Sequence, residues 1–279
     1  IRVTRGRDLS WPEVLGVGLV LGPTLFAVVS LILRLATNVE PRLVALAALG
    51  VVVLLGLGLS TLNFPDNGLD RLPLRDWAPL FVALPLATVV LKRYWQNVEL
   101  PLQIDGWGTL GGDAAFDVAS SKSIALLGLS DRILFAGQPF KYHFLSQAWA
   151  GFTDAATNAS PFVVVTRTAP LFLLVGILLL IWAWIRIAAA DRTAAWLALG
   201  VSVTGGFIYV GAVLTPVSLT QMWGSALALV VVLIFTRCLM APSVHLRLLL
   251  VGMAIPMVLA KSTTIIILPA LVVGAMTVR

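Results

Sequence analysis

Apolar runs of bilayer length constrain this chain more than any other feature. Residues 14–36 (VLGVGLVLGPTLFAVVSLILRLA) and 43–62 (LVALAALGVVVLLGLGLSTL) each reach the roughly 20 apolar residues needed to cross about 30 Å of hydrocarbon. In lipid every backbone N–H and C=O must be paired internally, so such runs fold as helices. Further runs follow at 77–95, 169–187, 194–214 and 222–236, and the tract 248–278 reads as two shorter spans meeting at Lys261-Ser262-Thr263-Thr264. The expectation is an all-α polytopic membrane helix bundle of about eight spans, with a largely helical extracytoplasmic loop between spans three and four. Three regions follow: an N-terminal three-span region at 1–95, the loop at 96–168, and the remaining spans at 169–279.

Composition agrees with this reading and excludes others. The chain is 59% hydrophobic and 11% charged, whereas about a quarter of a soluble domain is charged. A formal charge of +6 would suggest nucleic acid in a soluble protein. Here most basic residues stand at the ends of apolar runs, where snorkelling and membrane orientation explain them, so nucleic acid is not an expected partner. The single cysteine, Cys238, excludes an intrachain disulfide and a cysteine metal cluster, and two histidines exclude a histidine-rich metal site. Beginning at Ile1 and stopping at Arg279 directly after an apolar run, the sequence reads as an excerpt from a longer protein.

Orientation comes from the basic residues. Arg2, Arg5, Arg7, Arg71, Arg75, Arg186, Arg192, Arg237, Arg247 and Arg279 fall on one side, which the positive-inside rule makes cytoplasmic. The 96–168 loop and Lys261 then face the exterior.

Within that loop, residues 105–151 form the only long stretch that is not membrane-grade hydrophobic, and its polar residues are the candidates for chemistry. Gly111-Gly112 followed by DAAFDVASSKSIALL reads as a turn into a helix, with Asp113 at the cap and Asp117 one turn later on the same face. The two carboxylates suit either a divalent cation (Mg or Mn) or proton removal from a hydroxyl; the structural alternative is a cap and a solvated helix residue. After a second turn at Gly137-Gln138-Pro139 come Lys141, Tyr142 and His143. These suit either an anionic or hydroxyl-bearing substrate or an interfacial anchor, and Tyr142 or Trp149 offers a flat face to a sugar ring or lipid. Arg167, just before the fourth span, either snorkels to the interface or needs a partner, for which a lipid-linked phosphate is suitable; Lys261, inside the last apolar tract, needs a partner from elsewhere in the fold or from a ligand.

The stretches GGDAAFD (111–117) and GQPFKYHFL (137–145), in one extracytoplasmic loop of a multispanning chain, resemble the polyprenyl-phosphate-sugar-dependent membrane glycosyltransferases of the GT-C fold, most of all multispanning bacterial relatives, including actinobacterial ones. The resemblance implies transfer of a sugar from a polyprenyl-phosphate donor to a glycan or lipid acceptor at the outer face of a bacterial inner (plasma) membrane, in building the cell envelope. It gives the acidic role to Asp113 with Asp117 beside it and offers Lys261 or Arg167 to the donor phosphate; the residue types themselves add His143 to the catalytic candidates and Tyr142 and Lys141 to the substrate-binding ones. Two features depart from the family pattern: three spans precede the loop where one is usual, and Asp-x-x-x-Asp replaces an adjacent acidic pair. Competing classes are a secondary transporter or lipid flippase, and a non-catalytic membrane assembly partner.

Overall fold

The computed structural model describes residues 10–61, 74–99, 111–129, 144–189, 191–206, 219–240 and 244–260, and every regular element among them is helical. They are α1 (Trp11–Ala36), α2 (Pro41–Thr61), α3 (Leu74–Glu99), α4 (Gly111–Leu127), α5 (Leu145–Thr157), α6 (Pro161–Val163), α7 (Ala169–Ala189), α8 (Arg192–Gly206), α9 (Leu219–Met240), α10 (Val244–Gly252) and α11 (Ala254–Ala260). A π-helical segment, Val164–Thr168, joins α6 to α7 without a break.

Among the described residues three helices are long and apolar enough to cross a membrane: Pro12–Ala36, Pro161–Ala189 and Leu219–Met240. The apolar parts of three others, Pro41–Leu57, Trp77–Lys92 and Val244–Ala260, are shorter. The expected count of about eight spans is therefore not carried by the described residues. The fourth expected span also starts earlier than its apolar run. Pro161 follows an extended Ser160 and nucleates a helix that continues through the π turn, because the pairing of backbone groups does not stop where hydropathy falls.

The long run beginning at 248 is already interrupted before Lys261. Helix α10 ends at Gly252 and α11 starts at Ala254. Pro256 has no N–H to give the carbonyl one turn back, which accounts for the interruption there. Residues 207–218 and 261–279, where parts of the last expected spans fall, lie outside the described residues.

Helices α1 and α7 form the centre and run antiparallel. A Cβ added at Gly16 would lie 3.2 Å from the Leu179 Cβ, and one at Gly176 would lie 3.2 Å from the Val20 Cγ2. Small residues on both helices let the backbones approach closely, the main packing device where lipid supplies no hydrophobic drive between helices. Helix α9 is also antiparallel to α1: Glu13 pairs with Arg237, and Thr24 accepts from Trp223. Pro23 removes one helical donor from α1. Thr24 Oγ1 donates to the Val20 carbonyl at 2.6 Å and itself accepts from the Trp223 indole at 3.0 Å, a polar cross-link at this imperfect turn.

The outward faces of α2, α3 and α10–α11 remain apolar, with Leu54, Phe81, Leu248 and Ile255 all exposed. Faces of that kind are compatible with lipid contact and with a membrane protein.

Within the 96–168 region, α5 is not a cap over the bundle. Leu145 through Phe152 are buried, and the helix packs against α1 and α2 as well as α4. The expected water-facing loop is thus, over this helix, part of the core. Its residues explain why: Ala148, Ala150 and Gly151 are small enough for neighbours to close in on it. The tightest approach is at Gly151, where an added Cβ would stand 2.1 Å from the Ser121 carbonyl oxygen. Since backbone cannot move aside as a side chain can, Gly151→Ala is expected to force α4 from α5 and to cost at least about 1–3 kcal/mol. A lowered thermal midpoint in detergent would register it; an unchanged midpoint would mean the two helices are not in contact.

Candidate functional site

The described part of the loop builds a polar layer between α4 and α5. Helix α4 ends at Gly128, whose φ of 70° is left-handed and whose N–H reaches the Ile124 carbonyl at 2.9 Å, a stop that suits glycine. Helix α5 ends in the same manner at Asn158, with φ 57° and its N–H on the Asp154 carbonyl. Both helices are therefore short, and α5 ends just ahead of α6 at Pro161.

Asp117 is 3% exposed, in the face of α4 turned to α5. Gln147, fully buried, donates from Nε2 to Asp117 Oδ1 at 2.6 Å, and Ser146 Oγ donates to Gln147 Oε1 at 3.0 Å. Ser121 Oγ donates to the Asp117 backbone carbonyl at 2.6 Å. Toward the other end of α4, Lys122 Nζ meets Asp154 Oδ2 at 2.5 Å, with the lysine half-exposed and the aspartate nearly buried. Beyond it, Arg34 of α1 donates from Nη2 to the Leu126 carbonyl at 2.6 Å and from Nη1 to the Thr37 carbonyl at 3.3 Å. These bonds tie the C-terminal end of α1 to the layer.

The π-helical segment carrying Arg167 packs against both α4 and α5. Arg167 is half-buried, and Thr166 beside it is buried with its hydroxyl on the Phe162 carbonyl. A π turn adds one residue per turn and re-aims the side chains after it; such turns occur often at functional sites. Arg167 was expected ahead of the fourth span, yet it stands inside the continuous helix.

Several sequence expectations change here. Asp113 is the third residue of α4 and so lies inside its first turn, not at the cap; its side chain is outside the described set. Asp117 is not a solvated helix residue, because α5 covers it. Trp149 cannot offer a flat face to a sugar ring or lipid: it is 7% exposed and packs against Trp223 at 5.5 Å between ring centroids. Lys141, Tyr142, His143 and Lys261 lie outside the described residues, as does the Gly137-Gln138-Pro139 turn. The structure thus brings Asp117 and the segment of Arg167 into one packed region.

Gln147 and Ser146 were not among the residues singled out from sequence. The available signal was a Ser-Gln pair in a short helix dense in alanine and glycine, where a polar side chain has close neighbours. Glu13 and Arg237 were missed for another reason: 224 positions separate them. Arg237 Nε donates to Glu13 Oε1 at 2.8 Å and Nη2 meets Oε2 at 2.5 Å, with side chains 13% and 3% exposed. Trp182 marks the same end, with the Arg186 guanidinium 5.2 Å from its ring centroid. Charged groups are therefore held at both ends of α1, about 30 Å apart at 1.5 Å per residue between positions 13 and 34.

A divalent cation would need a set of ligands. Among the described residues no group of three or more His, Cys, Asp or Glu side chains stands together, and Asp117 Oδ1 already accepts an amide N–H. The side chain of Asp113, the other carboxylate of the expected cation pair, lies outside the described residues.

Comparison of the chain with protein-family models, with curated proteins and with solved structures gives no match.

Proposed function

We propose that this chain is an integral membrane glycosyltransferase that moves a sugar from a polyprenyl-phosphate donor to a glycan or lipid acceptor, with Asp117 as the acceptor-directed base. The observation that supports this reading is a carboxylate buried between α4 and α5, at one end of a bundle with membrane-length helices, beside the π turn of Arg167. Ionisable side chains enclosed in a membrane bundle are costly, and their usual compensation is function. The resemblance of the 111–117 and 137–145 stretches to the GT-C enzymes supplies the substrate class.

The acceptor hydroxyl gives its proton to the Asp117 carboxylate as its oxygen attacks the anomeric carbon. The bond from that carbon to the phosphate oxygen breaks, and the lipid phosphate leaves with the electron pair, inverting the centre. Arg167 and Lys261 offset the charge that builds on the phosphate oxygens, and Asp113, His143, Tyr142 and Lys141 orient the substrates. A lipid-linked donor suits such a site because its reactive head lies at the depth of the end of a span.

The test is transfer of labelled sugar from a polyprenyl-phosphate donor by the purified chain in vesicles, wild type against Asp117→Asn. Equal transfer by the two would remove this reading. Sidedness is tested separately: Leu127→Cys, exposed at the end of α4, is expected to react with an impermeant thiol reagent added outside intact cells, and protection from it would place α4 on the inner side.

A second reading, a secondary transporter or lipid flippase, is favoured by the π segment within Pro161–Ala189 and the interruption between α10 and α11. Movement of labelled lipid or solute across the same vesicles, without sugar transfer, would support it.

A further inference from the structure

We propose that Arg34, at the junction of α1 and α4, holds the phosphate of an anionic glycerophospholipid from the surrounding bilayer. Such binding would hold whether or not the chain transfers sugar. Arg34 lies in the last turn of α1, whose apolar stretch Pro12–Ala36 is 25 residues long. A helix of that length covers the hydrocarbon, so its last turn stands at the level of the headgroups.

The protein gives this guanidinium only neutral acceptors. Nη2 donates to the Leu126 carbonyl at 2.6 Å and Nη1 to the Thr37 carbonyl at 3.3 Å. Among the described residues no carboxylate pairs with it, the exposed Glu40 of the α1–α2 connection included, whereas Lys122, one turn before Leu126 on α4, already has Asp154. A guanidinium carries five N–H donors, so these two bonds leave most of them unused. Nε is enclosed with no acceptor among the described residues, and Ser30 Oγ, one turn earlier on the same face of α1, is likewise buried without a partner. A full charge beside hydrocarbon that meets only carbonyl dipoles is costly, and an anionic partner lowers that cost. Phosphate fits best, because the planar fork can offer two parallel N–H groups to two of its oxygens.

The surroundings suit the remainder of a phospholipid. Leu35, next to Arg34, and Leu126, whose carbonyl Arg34 holds, are both exposed. Apolar side chains flanking a half-buried cation match a phosphate joined to acyl chains, since affinity for such a surface adds buried apolar area to charge attraction. A free phosphate would use the cation alone. Because Arg34 also bonds to the end of α4, a lipid bound to it would stabilise the α1–α4 junction by mass action.

The experiment places the full chain in nanodiscs of phosphatidylcholine, with and without phosphatidylglycerol, and reads the thermal midpoint together with the phospholipid retained after detergent extraction, by native mass spectrometry. Phosphatidylglycerol is expected to raise the wild-type midpoint and to stay bound. Arg34→Gln, which can still donate to the Leu126 carbonyl, is expected to retain about tenfold less of it or lower, the usual loss on removing hydrogen bonds between charged groups, and to lose the lipid-dependent rise. Arg34→Lys keeps the charge without the fork and is expected to retain less than wild type, which keeps the test open if the glutamine variant does not fold. Arg42→Gln, at an exposed cation where α2 begins, is expected to behave as wild type.

A wild-type midpoint that ignores phosphatidylglycerol would overturn the proposal. So would equal losses of retained lipid in Arg34→Gln and Arg42→Gln, which would mean general attraction to a charged surface. Full retention by Arg34→Gln, with a midpoint lowered equally in both lipids, would make Arg34 only a cap for the ends of α1 and α4. The same rise with soluble glycerol phosphate in place of the lipid would make free phosphate the ligand and exclude the phospholipid.

Discussion

Arg237→Met is expected to destabilise the bundle by about 3–5 kcal/mol, the cost of leaving one member of a buried ion pair without its partner. Glu13 is 3% exposed, and the Arg237 guanidinium meets both its oxygens, through Nε at 2.8 Å and Nη2 at 2.5 Å. The same carboxylate also accepts from the Ser10 N–H at 3.3 Å at the start of α1. Removing the arginine therefore strands a charge in a place water does not reach and frees the first turn of α1 from the last turn of α9. The double variant Glu13→Leu/Arg237→Met is expected to recover most of the loss, since an apolar pair of similar volume often replaces a buried ion pair without net cost. Unfolding midpoints of the two single variants and the double variant, in one detergent, give the coupling energy. A single variant as stable as the wild type would show that the pair does not hold α1 to α9.

The second large effect is on activity. Asp117→Asn should reduce sugar transfer by about 10²–10⁴-fold, the usual contribution of a positioned general base. Asparagine is chosen because its Oδ1 still accepts the Gln147 amide, so the α4–α5 layer and the thermal midpoint are expected to stay close to wild type. Asp117→Leu is the contrast: it orphans the buried Gln147 donor, with a stability cost of about 1–3 kcal/mol, and loses transfer for two reasons at once. Transfer undiminished in the asparagine variant would make Asp117 a packing group.

The helical class and most of the helix positions were readable from composition and from the length of the apolar runs. Lipid leaves the backbone few alternatives, so a run such as 14–36 or 222–236 predicts a helix whatever surrounds it. Boundaries were less readable. The helix from Pro161 continues through Thr166 and Arg167, because local backbone pairing costs little to extend once a turn has formed. Asp113 and Asp117 could be placed one turn apart from their spacing alone, but no spacing says which face of α4 is covered. Burial of that face depends on α5, whose polar Ser146 and Gln147 look like surface residues until a partner helix is known.

What the sequence determined by itself is a set of helices that must pair their own backbone groups, and the approximate depth of each charged residue along them. Which charges meet was decided only by the tertiary structure. Glu13 and Arg237 come together because α1 and α9 run antiparallel. Gln147 reaches Asp117 because Gly151 lets α5 approach the backbone of α4 at Ser121. Hydropathy is a sum over neighbours along the chain, whereas a hydrogen bond or an ion pair depends on a separation of a few ångströms between residues far apart in it, and packing alone sets that distance.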